Sequence, residues 1–228
     1  MKIIAVRIGD RYGPEYEEYL EKQLPEYEFT WIREPLQDNI QLQWNKMHAM
    51  TLDIDEPVIV MDIDVLLIGD YKKIFEYPIK RGQFLAMPGW WRGESDYKIN
   101  GGFYKYYPKD ARYIYDKFME RPEYWQRYYI ENGTTTGPVN GEQYFIEDSA
   151  KERLELVVLP NAWFTRMEAR KTPETKNTLA RLNRMYSELT GHDFVFLGDE
   201  FHPDVKLVHF TNMSNHPKNW DKYDLFVN

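Results

Sequence analysis

The chain has 228 residues, a formal charge of −8 and no cysteine. That length suits one domain with a substantial core. The missing thiols exclude disulfides and cysteine nucleophiles, and the acidic balance argues against nonspecific nucleic-acid binding, which needs a basic footprint. No run approaches the roughly 18 apolar residues of a membrane span. The first residues turn polar too soon for a signal peptide, so a cytosolic protein is the expectation. Aromatic residues make up 16% of the chain, a content that serves either core packing or stacking on sugars and bases.

In chain order, Lys2 to Ile8 reads as a first strand, and Gly9-Asp10-Arg11-Tyr12-Gly13-Pro14 as a turn. Glu15 to Leu24 follows as a helix, with proline in its first turn and acidic residues beside the positive end of the dipole. Strand, glycine-bearing turn and helix form the unit whose carboxyl-end loops bind ligands in open α/β sheets. There is no Gly-x-Gly-x-x-Gly fingerprint and no Walker lysine. Tyr27 to Arg33 is a second strand. Gln37 to Leu52 has Ile40, Trp44, Met47, His48 and Thr51 near helical spacing, which predicts a helix leading to the next strand.

That next segment, Pro57-Val58-Ile59-Val60-Met61-Asp62-Ile63-Asp64-Val65-Leu66-Leu67-Ile68, carries the strongest chemical signal. Its apolar, β-branched residues predict a strand buried on both faces of a mostly parallel sheet. An unpaired charge in such an interior costs several kcal/mol. With a period of 2, Asp62 and Asp64 point the same way, and converging carboxylates at a strand end attract a divalent cation, magnesium or manganese. Asp53-Ile54-Asp55, nine residues earlier, repeats the tripeptide. It lacks the apolar strand and precedes Glu56-Pro57, so it reads as a solvated helix exit.

Gln83 to Pro88 is predicted as a strand, followed by a loop with Trp90 and Trp91. Ile99-Asn100-Gly101-Gly102-Phe103-Tyr104 is a strand whose paired glycines mark a close backbone approach or a bulge. Lys109 to Glu120 is a helix. The polar loop from Asn132 to Gly141 delivers Glu142 and Gln143 onto the start of another helix, an arrangement suited to an active-site rim. Leu154 to Leu159 is a further strand. Beyond Pro160 the chain becomes polar and charged, with Arg166, Arg170, Lys171, Lys176, Arg181 and Arg184. A polar lid or helix over about 165–195 is expected there. Val205 to Phe210 is a closing strand carrying His209, followed by a tail with Lys218 and Trp220.

Taken together, these segments resemble a nucleotide-sugar-dependent glycosyltransferase of the GT-A fold, nearest the glycogenin-like family 8. Met61-Asp62-Ile63-Asp64 resembles that family's Asp-x-Asp motif, and Asn100-Gly101-Gly102-Phe103 its Asn-x-Gly strand. Glu142-Gln143 is similar to its Asp-Gln pair, and His209-Phe210 with Lys218 and Trp220 to its closing signature. The resemblance implies a single α/β domain over residues 1–228, with a mixed, mostly parallel central sheet flanked by helices. It implies a metal ion, manganese or magnesium, held by Asp62, Asp64 and His209. It also implies a nucleotide-sugar donor, UDP-linked by resemblance, and a carbohydrate acceptor. Gly9, Asp10 and Tyr12 would receive the base, Lys218 the diphosphate, and Lys46 the base or phosphates. Asp62 would reach the ribose as well as the metal, and Asn100, Gly101, Glu142 and Gln143 would line the sugar. Glu142, then Asp96, would be the general base if transfer inverts the anomeric centre, whereas Gln143 or Glu142 would support a retaining route. A soluble bacterial or viral enzyme without a membrane anchor is expected.

Three other classes use some of these parts. Phosphatases of the haloacid-dehalogenase type also place Asp-x-Asp after an apolar strand, but with Thr or Val where this chain has Leu66. A non-catalytic carbohydrate-binding domain would explain the aromatics but not the converging carboxylates. A nucleotidyltransferase would begin with a glycine-rich basic loop, which Ile8 to Gly13 matches poorly.

Overall fold

The computed structural model describes residues 1–89, 96–135, 137, 140–168 and 204–211. They belong to two compact units, one formed by Met1–Ile63 with Tyr77–Leu159 and the other by Asp64–Glu76 with the chain from Pro160 onward. In chain order the first unit begins with β1 (Lys2–Val6), α1 (Glu15–Gln23), β2 (Glu28–Ile32), a three-ten helix (Leu42–Thr51) and β3 (Val58–Met61). The chain then enters the second unit for β4 (Val65–Leu67) and α2 (Lys72–Glu76). It returns for β5 (Gln83–Pro88), β6 (Ile99–Tyr106), α3 (Pro108–Glu120), α4 (Pro122–Glu131), α5 (Glu142–Arg153) and β7 (Glu155–Val158). A short three-ten turn (Asn161–Trp163), β8 (Phe164–Glu168) and β9 (Leu207–Thr211) complete the second unit.

The first unit is built on a six-stranded sheet in the order β2-β1-β3-β6-β5-β7. β1 pairs in parallel with both β2 and β3, and β5 in parallel with β7, while β6 runs antiparallel to β3 and β5. The predicted mixed, mostly parallel α/β sheet is therefore present. β3 lies in its interior, and all four of its side chains are buried, as a Val/Ile-rich strand covered on both faces requires. Val58 and Val60 share one face with Ile4, Phe84, Ala86, Tyr104 and Tyr106. Onto that face pack Trp44 from the three-ten helix, Phe118 from α3 and Phe145 from α5; Trp44 stacks on Phe118 at 5.2 Å between centroids, and Phe118 meets Phe145 edge-on at 5.7 Å.

The second unit contains a three-stranded sheet in the order β4-β9-β8, with β4 antiparallel and β8 parallel to β9. The apolar residues on either side of Asp62 and Asp64 thus belong to strands of two different sheets.

Four local expectations are corrected. The segment predicted as a helix from Gln37 to Leu52 is a three-ten helix that starts only at Leu42, where φ is +24°. The Gln126 side chain accepts from the Gln41 amide and donates to the Asn39 carbonyl. The Asn45 side chain accepts from the Leu36 amide and donates to the carbonyls of Ile40 and Leu42. Those bonds occupy groups that an α-helix would use. Trp44, Met47 and Met50, all essentially inaccessible to solvent, are spaced by three, the period of a three-ten helix. Next, α4 was not anticipated, although Pro122 at its first turn is a start signal. Residues 165–168, at the start of the expected polar lid, lie in β8. Finally, the closing strand begins at Leu207 rather than Val205. The rest of the expected lid lies outside the described residues. No described helix is long and apolar enough to cross a membrane.

The aromatic contacts among Trp44, Phe118 and Phe145 join three elements to one sheet face. Phe118→Ala should therefore destabilise the protein by about 3–5 kcal/mol, measured by denaturant unfolding. An unchanged midpoint would show that this cluster does not hold the core.

Candidate active site

Sheet order dictates where the first unit can bind a ligand. From β1 the chain passes to β2 on one side; from β2 it crosses to β3 on the other. The carboxyl ends of β1 and β3 therefore flank a topological switch point, the usual ligand crevice of open α/β sheets. Gly9 to Gly13 leave β1 at that edge, and Asp62 leaves β3 there, its amide donating to the Gly102 carbonyl at 3.0 Å. Because β6 runs the other way, its first residues, Ile99 to Gly102, start from the same edge.

A buried lysine organises this edge. Lys46, 3% exposed, places its Nζ 2.6 Å from Asp62 Oδ1 and donates to the Gly101 carbonyl at 2.6 Å. It comes from the middle of the three-ten helix, so a local element fixes where its charge sits. Glu142, at the first position of α5, is 4% exposed, and its Oε1 has no hydrogen-bond donor among the described residues. Its Oε2 lies so close to Gly101 that a Cβ there would meet it at 2.9 Å. Glycine at 101 is what permits the approach of carboxylate to backbone. Burial raises the Glu142 pKa to about 7; the Asp62 charge adds to the shift and the Lys46 charge opposes it.

The neighbouring Gln143 accepts from the Asn100 side chain at 3.1 Å and from the Gly101 amide at 2.9 Å. Asn100 in turn accepts from the Gly102 amide at 2.8 Å. Gln143 thus uses its carbonyl to hold the strand, which leaves Glu142 as the group of this pair with proton-transfer chemistry. Asp96 is exposed; its carbonyl accepts from Lys151, and none of the hydrogen bonds described ties its carboxylate to Asp62, Lys46 or Glu142.

At the β1 end, Gly9 has φ +79°, a conformation that glycine adopts without strain. Asp10 is exposed, while Tyr12 is half-buried with its ring edge-on to Tyr16 at 5.0 Å and the Arg11 guanidinium 5.2 Å from its centroid. The loop is braced by Glu17, which binds both Arg7 and Arg33. Burial works to raise the Glu17 pKa, but the bonds to Arg33 and Arg7 outweigh it and hold the carboxyl below its ordinary range.

In the second unit, Asp64 precedes β4, and the antiparallel register sets His209 opposite Val65. His209 Nε2 lies 3.5 Å from Asp64 Oδ1, and both side chains are largely buried. Farther along the same strand pair, the buried Lys206 binds Asp70 and the Asp204 carbonyl, with its ammonium 5.2 Å from the Trp163 ring centroid. Its bond, with that of Lys73, holds the Asp70 carboxyl down at about 2. Lys218 and Trp220 lie outside the described residues, as do Trp90 and Trp91.

Sequence reading missed Glu147, whose carboxylate is fully buried and accepts from the Lys98 and Ile99 amides. Its position four residues after Gln143 was the available signal.

No protein-family model and no curated protein matches the sequence. Solved structures do match. The glycosyltransferase GlyE of Streptococcus pneumoniae TIGR4 superposes with a TM-score of 0.56 at 11% identity, over 98% of this chain and 60% of that one. The galactosyltransferase LgtC, solved in complex with donor and acceptor sugar analogues, gives 0.52 at 13% identity, over 97% and 99%. A glycosyltransferase involved in glycosylation of the major capsid of PBCV-1 gives 0.50 at 16% identity, over 98% and 100%. This chain thus spans 60% of the length of GlyE. The fold is that of the GT-A glycosyltransferases.

Proposed function

We propose that the protein is a metal-dependent glycosyltransferase that moves a hexose from a nucleoside-diphosphate sugar, UDP-linked, to a carbohydrate acceptor. The observation that carries this reading is the group of Asp62, Lys46, Gly101 and Glu142 at the β1/β3 switch point, in a fold shared with glycosyltransferases. Gly9, Asp10 and Tyr12 would receive the base on the adjoining loop. Asn100 and Gly101 would face the sugar, with Glu142 and Gln143 behind them.

Asp64 and His209 lie side by side, and the chain brings Asp62 two residues before Asp64; these three would hold a divalent cation. Two carboxylates and an imidazole suit manganese, the carboxylates by hardness and the imidazole by its preference for transition metals over magnesium. When bound, such an ion supplies Lewis-acid stabilisation of the departing diphosphate. Lys46, paired with Asp62, would orient its carboxylate. Glu142, poised near neutrality, would take the proton of the acceptor hydroxyl in an inverting transfer, or its carboxylate would stabilise an oxocarbenium-like centre in a retaining one. Lys218 would add positive charge at the diphosphate.

The direct test is incubation with a panel of nucleotide-sugars and manganese. Release of UDP from a UDP-sugar is expected; turnover of an aryl phosphate with no release from any nucleotide-sugar would make the protein a phosphatase. Asp64→Ala should abolish the manganese-dependent release while leaving the unfolding transition in place, and wild-type turnover in that variant would remove the cation from Asp64. Lys218→Ala should weaken UDP binding by calorimetry, and an unchanged affinity would remove Lys218 from the site.

Glu142 also makes a prediction about pH. Its folded pKa of about 7 lies above the ordinary 4.5, so the unfolded chain loses this proton first and the folded state is progressively destabilised as pH rises between those values. Glu142→Gln removes that dependence. Without divalent cations, the stability of this variant relative to wild type should rise by on the order of 3 kcal/mol between about pH 4 and pH 8. A pH-independent difference in unfolding free energy would show that Glu142 titrates normally.

A further inference from the structure

The first residues of β6 are paired on one side only: Ile99 and Asn100 pair with Pro88 and Met87 of β5, beyond the reach of β3. Ala86 of β5 pairs with Tyr104, but the adjacent Met87 pairs with Asn100, so Gly101, Gly102 and Phe103 bulge from the ladder. The pairing with β3 extends only as far as Phe103 and the bond from the Asp62 amide to the Gly102 carbonyl. A backbone in this condition must find other acceptors for its amides.

It finds them on α5. Lys98 donates to both oxygens of Glu147 at 2.8 and 2.9 Å, and Ile99 to Oε2 at 3.0 Å. Gly101 donates to Gln143 at 2.9 Å. Just upstream, the Tyr97 hydroxyl donates to Asp148 Oδ2 at 3.0 Å, an oxygen that also accepts from Tyr129 at 3.0 Å. Residues 143 and 147 lie one turn apart on one helix face, and the same helix begins with Glu142. A single rigid element therefore carries the proposed proton-transfer group and sets the position of the strand facing it. Glu147 is the most committed member. It is fully buried, its carboxylate oxygens serve two consecutive backbone amides, and its charge is matched by Lys151 at 2.7 Å. The Lys151 side chain is itself 42% exposed, so water screens its side of the pair, and the carboxylate's chief work is on the backbone.

We infer that Glu147 is a positioning residue for sugar transfer: through the Lys98 and Ile99 amides it holds Asn100 and Gly101 in register against Glu142, while the nucleotide half of the site does not depend on it. This rests on the glycosyltransferase reading above for its kinetic consequence, but not for its structural one. The geometry sets a demanding requirement. Glutamine offers one acceptor oxygen where two are used and presents an N–H to an N–H; aspartate keeps the charge but withdraws the carboxylate by one methylene.

The test combines amide hydrogen exchange, which needs no substrate, with kinetics on whichever UDP-sugar the wild type turns over. In Glu147→Gln, amides of residues 97–102 should exchange at least about tenfold faster, those of 103–106 should be unchanged, and kcat for UDP release should fall by at least about tenfold. UDP affinity by calorimetry should stay within about twofold of wild type, because the base and diphosphate contacts lie on other segments. Glu147→Asp should show the same pattern at smaller amplitude, and it serves as the test should the glutamine variant fail to fold. Unchanged exchange at 97–102 would overturn the inference. So would faster exchange with full kcat, or a loss of UDP affinity in step with a lowered unfolding midpoint, which would mark Glu147 as merely structural. If the wild type turned over no nucleotide-sugar, the functional reading would fail by itself, and the exchange experiment would still decide whether Glu147 fixes the strand.

Discussion

The site in the first unit depends on one buried ammonium group. Lys46 is almost wholly out of solvent, and leaving such a charge without a partner would cost several kcal/mol. It is satisfied from two directions, by the Asp62 carboxylate and the Gly101 carbonyl, which ties the end of β3 to the start of β6. Two carboxylates, Asp62 and Glu142, act on this single cation. The ion pair goes to Asp62; Glu142 is left to carry the full effect of burial with only partial relief. Two carboxylates in unequal environments, one ion-paired and one with its proton affinity raised by burial, are a recurring basis for dividing acid–base roles. Here the division follows from which of them the lysine reaches.

The helix after the polar loop extends this logic. α5 places Glu142 at its first turn, where the helix dipole would favour the ionised form, yet burial dominates and raises its pKa. The next residue, Gln143, and Glu147 one turn beyond it supply acceptors to the amides of residues 98, 99 and 101, which lie past the end of the β3 pairing. The bulge and the helix therefore complement each other. Glycines at 101 and 102 allow the backbone to leave the ladder; Gln143 of the helix accepts the Gly101 amide and Asn100 that of Gly102. The result brings Glu142 and Gly101 into van der Waals contact range without a side chain between them.

Much of this was legible in the sequence, for reasons that differ by element. β1, β3 and β5 are short apolar runs whose burial leaves little choice of conformation, and they form where periodicity placed them. The Asn100-Gly101-Gly102 stretch was read as a close approach or bulge and is one. The three-ten helix was misread because local spacing could not register the side-chain clamps from Gln126 and Asn45, one of which arrives from an element far along the chain. Lys46 was recognised only as a weak ligand candidate, since a lysine in a helix is ordinarily a solvated one and nothing local announces that this one is buried. Glu147 was invisible for the same reason. The separate sheet formed by β4, β8 and β9 follows from a long-range pairing with the end of the chain that no window of sequence contains.

The two Asp-Ile-Asp tripeptides show why context rather than motif decides the chemistry. Asp53 and Asp55 are 93% and 75% exposed at their side chains, and both lie within 3.1 Å of the Lys109 ammonium, with Arg81 also on Asp55. Their charge is met by ordinary cationic side chains and by water, and nothing there calls for a metal. The second tripeptide follows a fully buried strand instead. Asp62 is met by a buried lysine, while Asp64, largely out of solvent, faces an imidazole that carries charge only when protonated. A neutral imidazole is a ligand rather than a counter-ion. The Asp64–His209 pair therefore differs from the Asp53–Asp55 pair in its burial and in the nitrogen it meets, an imidazole in place of an ammonium. Identical residues at identical spacing thus reach opposite ends through the polarity of the strand before them and the kind of nitrogen placed opposite.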